Sequence, residues 1–207
     1  MRKLFIKMAY RDFTFSKLEQ DFQIRQARKS LFDVKSIAFV EPSDWLLTTL
    51  RRAKTMPLRS EKSRSENLIS PIINEVRQNN IDTIEVFSGE NLNADAKAKL
   101  NGEVDFIFVH FPQSAEIREP IFNVTEAKRG AVEDGWAQCA AQMYGARVFN
   151  QKHNNPIKNI YGAVSNGYDW QFLSLEDNYI FIDDSVYTID NIPQLLGILQ
   201  FIVDKYR

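Results

Sequence analysis

Histidine and cysteine are nearly missing from this chain: two His and one Cys, Cys139, among 207 residues. One cysteine excludes an internal disulfide, and the scarcity of both types excludes the ligand clusters of a structural zinc site. A reducing, intracellular setting is expected. Long apolar runs are also missing. No segment approaches the roughly 20 apolar residues of a membrane span, and Lys7 interrupts Leu4-Phe5-Ile6 well short of a secretory-leader core. The expected location is the cytoplasm, with no membrane partner. Net charge is almost nil, with 26 Lys and Arg against 27 Asp and Glu. That balance argues against coating nucleic acid through bulk positive charge and directs attention to local basic faces. Glycine is sparse, eight against fifteen Phe and seven Tyr, which points to a well-packed interior. The length suits one globular core.

What is present falls into an orderly series of elements, without internal repeats or low-complexity tracts. Residues 1–58 read as an N-terminal helical extension packed on the core, and residues 59–207 as the main domain. Within the extension, Phe15, Leu18 and Phe22 share a helical face, and Ser43 caps a second helix running to Ala53. Between them, Ile37–Val40 is a short strand or a buried connection. Residues 51–64 carry Arg51, Arg52, Lys54, Arg59, Lys62 and Arg64 against one acid, Glu61. This run is a phosphate-contacting face or a solvated linker. A helix over 65–79 follows, with Leu68, Ile69, Ile72, Ile73 and Val76 as its stripe and Ser65 or Ser70 as its cap.

Strands are then expected at Thr83–Phe87, Gly102–Val109 and Ile121–Lys128, with a turn at Ser88–Asn91. A helix from Ala131 to Phe149 is rich in Ala and Gly, which lets its backbone lie close to a sheet. Strands at Lys158–Ser165 and Trp170–Leu175 flank the hairpin dipeptide Asn166-Gly167, Tyr179–Ile182 adds another, and an amphipathic helix starts at Ile192. Interleaved helices and strands predict an α/β sandwich on a mixed sheet.

The chemistry concentrates at the two central strands. Glu126 and Lys128 are two apart on a strand and so project to one side. A carboxylate beside an ammonium can bind a hard cation and a phosphate together, the oxygen serving Mg2+ (or Mn2+) and the ammonium neutralising charge on phosphorus or acting on a water. Asp105, on the preceding strand, would be a second carboxylate on the metal, with Glu103 as its rival. The Ala127 carbonyl would supply a further oxygen. Acid-x-Lys also occurs at Asp33–Lys35 and Asp95–Lys97, but only Glu126–Lys128 closes an apolar strand, follows a strand opened by an acid and precedes a Gln-bearing helix. Trp136, Tyr161 and Trp170 are stacking candidates or core residues.

Gly102-Glu103-Val104-Asp105 together with Glu126-Ala127-Lys128 resembles the PD-(D/E)XK nuclease superfamily. Gln138 to Tyr144 is similar to the glutamine-bearing helix of its exonuclease-like and type I restriction branches. The resemblance covers about residues 60–175, and Val104 stands where the motif has proline. It implies a restriction endonuclease-like α/β fold, a central mixed sheet flanked by helices, and hydrolysis of DNA phosphodiesters with Mg2+ or Mn2+. Asp105 and Glu126 would ligate the metal and Lys128 would be the catalytic lysine. Gln138 or Gln142 would lie near the site, and Glu66 would be an extra acid on the first core helix. Arg59, Lys62, Arg64 and Arg129 would contact DNA. The competing expectation is a nuclease-fold module without turnover, either DNA-binding or regulatory; a protein-interaction subunit pairing through the C-terminal helix is a third, and a homodimer is a further option.

Overall fold

A computed structural model of the chain describes residues 9–207, so the apolar run that Lys7 interrupts lies outside the described residues. The helices are α1 (Phe15–Phe22), α2 (Asp44–Ala53), α3 (Glu61–Arg64), α4 (Ser70–Asn79), α5 (Trp136–Lys152) and α6 (Ile192–Asp204). The strands are β1 (Arg25–Lys29), β2 (Glu85–Asn91), β3 (Glu103–Val109), β4 (Ile121–Ala127), β5 (Asn159–Ser165), β6 (Asp169–Glu176), β7 (Tyr179–Asp183) and β8 (Tyr187–Thr188). They form one eight-stranded sheet in the order β1-β7-β6-β5-β4-β3-β2, with β8 paired to β6. The sheet is mixed, because β1 runs parallel to β7 and β4 parallel to β5 while the other pairs are antiparallel. The protein is therefore α/β, as expected. Among the described residues no helix is long and apolar enough to cross a membrane.

Both faces of the sheet are covered, which explains why its central strands are continuously apolar rather than alternating. Phe106 and Phe108 of β3 point into one core with Leu68, Ile72 and Leu195. Ile107 and Val109 point into the other, with Cys139, Ala140 and Met143 of α5. Leu46, Leu50 and Leu58 belong to the first of these cores, so residues before 59 share the main hydrophobic interior. β1 also joins the common sheet. Its sequence, Arg-Gln-Ala-Arg-Lys, lacks the apolar alternation that betrays a strand, because it is a half-exposed edge.

Ile37–Val40 is an irregular connection, not a strand, and only Ile37 is buried; Phe39 is 53% exposed. Val40 donates its N–H to the Pro193 carbonyl at 3.1 Å, and the Ala38 carbonyl lies against Gly197 of α6. Ser88–Asn91 is not a turn: β2 continues through it, with Asn91 opposite Glu103. The apolar side of α6 is buried within its own chain.

Residues 61–79 are one helical run whose cap is neither Ser65 nor Ser70. Ser60 Oγ accepts the Ser63 N–H at 3.0 Å, and the Ser63 hydroxyl accepts the Ser60 N–H at 3.1 Å. Pro71 has no N–H to give to the preceding turn. Ser65–Ile69 instead forms a π-turn, in which the Ser70 N–H reaches back to the Ser65 carbonyl.

Candidate functional site

Asp105 and Glu126 stand side by side. The antiparallel register places Phe106 opposite Thr125, and one step further places Asp105 opposite Glu126. Directly opposed positions hold their Cβ atoms about 5 Å apart. Asp105 Oδ2 accepts the Ala127 N–H at 2.7 Å, which turns this carboxylate toward the end of β4. Ala127 itself is buried. Glu103, two residues earlier on the same face, is exposed and its carboxylate lies beside Gly89 of β2. Asp105 is thus the acid that meets Glu126.

Lys128 lies one residue past β4, but its backbone is not loose: its N–H donates to the Ser165 carbonyl at 2.8 Å, extending the pairing with β5. Its ammonium donates to Glu126 Oε1 at 2.6 Å and to Gln138 Oε1 at 3.0 Å. Gln142 Nε2 donates to Glu126 Oε2 at 2.6 Å. Both glutamines named as alternatives are therefore engaged, one on the lysine and one on the carboxylate, as their four-residue spacing on one helix face permits.

Two glycines permit this closeness. A Cβ at Gly135 would fall 2.5 Å from Val164 Cγ1 and 3.1 Å from Lys128 Cγ. At Gly162 it would fall 2.5 Å from Met143 Sδ and 2.7 Å from Cys139 Sγ. Helix α5 therefore lies near van der Waals contact with β5.

Burial governs the electrostatics. Glu126 is 3% exposed, and desolvation followed by the Asp105 charge pushes it up to about 7, although Lys128 and Gln142 stabilise its charged form. Desolvation also raises Asp105, against the Ala127 hydrogen bond and the Lys128 charge. For Lys128, burial works against the ammonium, yet the attraction of Glu126, its hydrogen bond, and the charges of Glu61 and Asp105 more than offset it and raise the group. Lys128 is accordingly a cation at neutral pH.

Glu61, the first residue of α3, is the acid that the sequence reading missed. Its charge acts on both Asp105 and Lys128. Glu66 has a side chain 60% exposed and is paired with Lys62 at 3.8 Å. Arg64 fixes this arrangement: it donates to the carbonyls of Leu58 at 3.1 Å, Arg129 at 2.7 Å and Asn166 at 3.4 Å. That side chain is committed to the backbone, while Arg59, Lys62 and Arg129 are exposed.

The remaining candidates divide by burial. Trp170 and Tyr161 lie in the core, and Cys139 is buried with its thiol pushed up by desolvation. Trp136 is half-buried at the start of α5. The donor set suits a hard divalent cation: two carboxylates whose charges oppose each other, plus the Gln142 Oε1, which is buried without a partner. Among the described residues no group of three or more His, Cys, Asp or Glu is gathered closely enough to hold a metal alone. An ion here would keep several waters, as Mg2+ does. In comparison with known proteins, the chain matches no family model, no curated protein and no solved structure.

Proposed function

We propose that the chain is a divalent-metal-dependent nuclease that hydrolyses DNA phosphodiester bonds. The observation that carries this reading is the pair of mutually repelling carboxylates, half-buried Asp105 and buried Glu126, with a protonated Lys128 hydrogen-bonded between Glu126 and Gln138. Two desolvated acids facing each other are costly unless a cation answers them.

Asp105 and Glu126 would hold the ion, with the Ala127 carbonyl as a further oxygen. When bound, Mg2+ or Mn2+ supplies Lewis-acid polarisation of a phosphoryl oxygen and a more acidic water. Lys128 is already charged, so its part is to stabilise negative charge growing on phosphorus, not to accept a proton. Gln138 orients that ammonium, and Gln142 fixes the Glu126 carboxylate from the helix side. Glu61 adds negative potential at the mouth of the site.

One observation favours a second reading, a DNA-binding module without turnover. Both Glu126 oxygens already have donors, Lys128 and Gln142, so the carboxylate is satisfied without a metal. Titration with Mg2+ or Mn2+ separates the two. The nuclease reading expects a rise in Tm and cleavage of DNA, both lost in Glu126→Ala. Cleavage that survives in Glu126→Ala would sink it, and DNA binding without cleavage in any metal would establish the module.

A further inference from the structure

Beside the carboxylate pair lies an aromatic group that the chemistry above does not use. Trp136 opens α5 two residues before Gln138, which holds Lys128, and directly after Gly135, whose backbone abuts the Lys128 side chain. Its indole Nε1 donates to Gln171 Oε1 at 3.0 Å, and Gln171 Nε2 is anchored on the Asp183 carbonyl at 2.9 Å. The ring edge is thereby pinned to β6 and β7, and the ring remains half-buried.

Arg28 of β1 sets its guanidinium over this ring, 5.7 Å from the centroid. Its other attachments are weak: the Asp183 carbonyl at 3.4 Å and Asp184 at 3.5 Å, with both charged side chains more than half exposed. An exposed ion pair of this kind holds its arginine lightly, so Arg28 can exchange Asp184 for a phosphate. The core packs against part of the indole and the guanidinium lies over it; once Arg28 turns to a phosphate, the ring area it covered becomes a flat surface for a nucleobase, with the cation beside it for the backbone. Of the other two tryptophans, Trp170 is fully buried, and Trp45 lies in the first turn of α2, whose cap Ser43 donates its hydroxyl to Glu75 of α4.

We propose that Trp136 and Arg28 form a nucleotide-seating platform adjoining the site, and that the substrate therefore carries an unpaired nucleotide next to the scissile phosphate. This rests on the nuclease reading. The inference follows from access: bases inside a duplex show no free face, whereas single strands, overhangs and frayed ends do. The platform flanks Lys128 on the β1 side of the sheet, so the nucleotide it holds is one adjacent to the bond that breaks.

The test compares binding of an oligothymidylate of about ten nucleotides and of a blunt duplex of the same length to the full chain, in chelator at low salt, by fluorescence anisotropy. Cleavage of both in Mn2+ is measured in parallel. Trp136→Leu keeps an apolar side chain and loses the stack; it is expected to weaken oligothymidylate binding about tenfold, leave duplex binding within twofold, and keep the far-UV spectrum. Arg28→Gln changes an exposed residue and guards against misfolding of the first variant; its salt slope for the oligothymidylate is expected to fall by about one. Unchanged oligothymidylate affinity in both variants, or equal losses on both DNAs, overturns the platform. If wild-type chain cleaves DNA while the variants bind as it does, the platform falls and the nuclease reading stands. If wild-type chain neither binds nor cleaves either DNA, both fall.

Discussion

Glu126 ties stability to chemistry at the level of a single side chain. Its folded-state pKa, about 7, lies above its ordinary 4.5. An acid shifted upward holds its proton better when folded, so the folded state bears no penalty below about pH 4.5, a growing one as pH rises toward 7, and a constant one above. Asp105 is shifted in the same direction and adds to the trend. The Glu126 contribution alone is about 3 kcal/mol. In chelator, Tm is expected to be higher at pH 5 than at pH 8, and Glu126→Gln is expected to flatten that difference. A wild-type Tm that climbs from pH 5 to 8 would contradict the desolvated pair. Added Mn2+ is expected to recover part of the loss at pH 8.

At the same scale lies the lesson of the acids. Glu126 and Lys128 were legible because strand periodicity puts them on one side, Asp105 because it opens the neighbouring apolar strand, and β3 and β4 fall within a residue of their expected bounds. Glu61 was not legible. The π-turn at Ser65–Ile69 inserts an extra residue into the helical run, which rotates everything before it by about 100° relative to an unbroken helix. Which acid faces the site then depends on the Arg64 clamp to Arg129 and Asn166, a long-range contact with no local signature.

Among the elements, α5 does most to assemble the site, and its first turn is the sensitive point. Gly135→Ala places a methyl 2.5 Å from Val164 Cγ1 and 3.1 Å from Lys128 Cγ. Overpacking of this kind costs about 1–3 kcal/mol. The expected outcome in urea melts is a lower midpoint with an unchanged slope. Cleavage, if present in the wild type, is expected to fall by more than the unfolded fraction explains, because Lys128 must move. Loss of stability with cleavage per folded molecule intact would show that Lys128 tolerates the displacement. The small residues of α5 announced a close helix-sheet contact in the sequence; β1 announced nothing, since an exposed edge of Arg, Gln and Lys carries no period-2 apolar signal.

For the whole molecule, the first described residues matter more than a peripheral extension would. Leu46, Leu50 and Leu58 complete one core, Tyr10, Leu18 and Ile24 the other, and β1 covers the edge of β7. A chain cut to residues 59–207 would expose both cores and leave β7 as an open edge, a template for intermolecular pairing. It is expected to elute as aggregate in size-exclusion chromatography and to lack a cooperative urea transition. A soluble, cooperatively melting 59–207 fragment would show that the two parts are separable. The α/β class was readable from the interleaving of elements, whereas the position of β1 was not, because its only partner, β7, lies some 150 residues further along the chain.

The near contact of α5 with β5 at Gly162 also sets a dimensional tolerance. With Met143 Sδ and Cys139 Sγ filling the space above Gly162, the gap between helix and sheet has no slack, and that gap determines whether the Gln142 amide reaches Glu126. A methyl group added there, on neither charged residue and out of reach of any substrate, would act as a shim that lifts the helix and unseats the carboxylate. The Gln142–Glu126 contact can therefore be broken by thickness alone, and variants that enlarge this seam are expected to disturb the site while every polar residue of it remains in place.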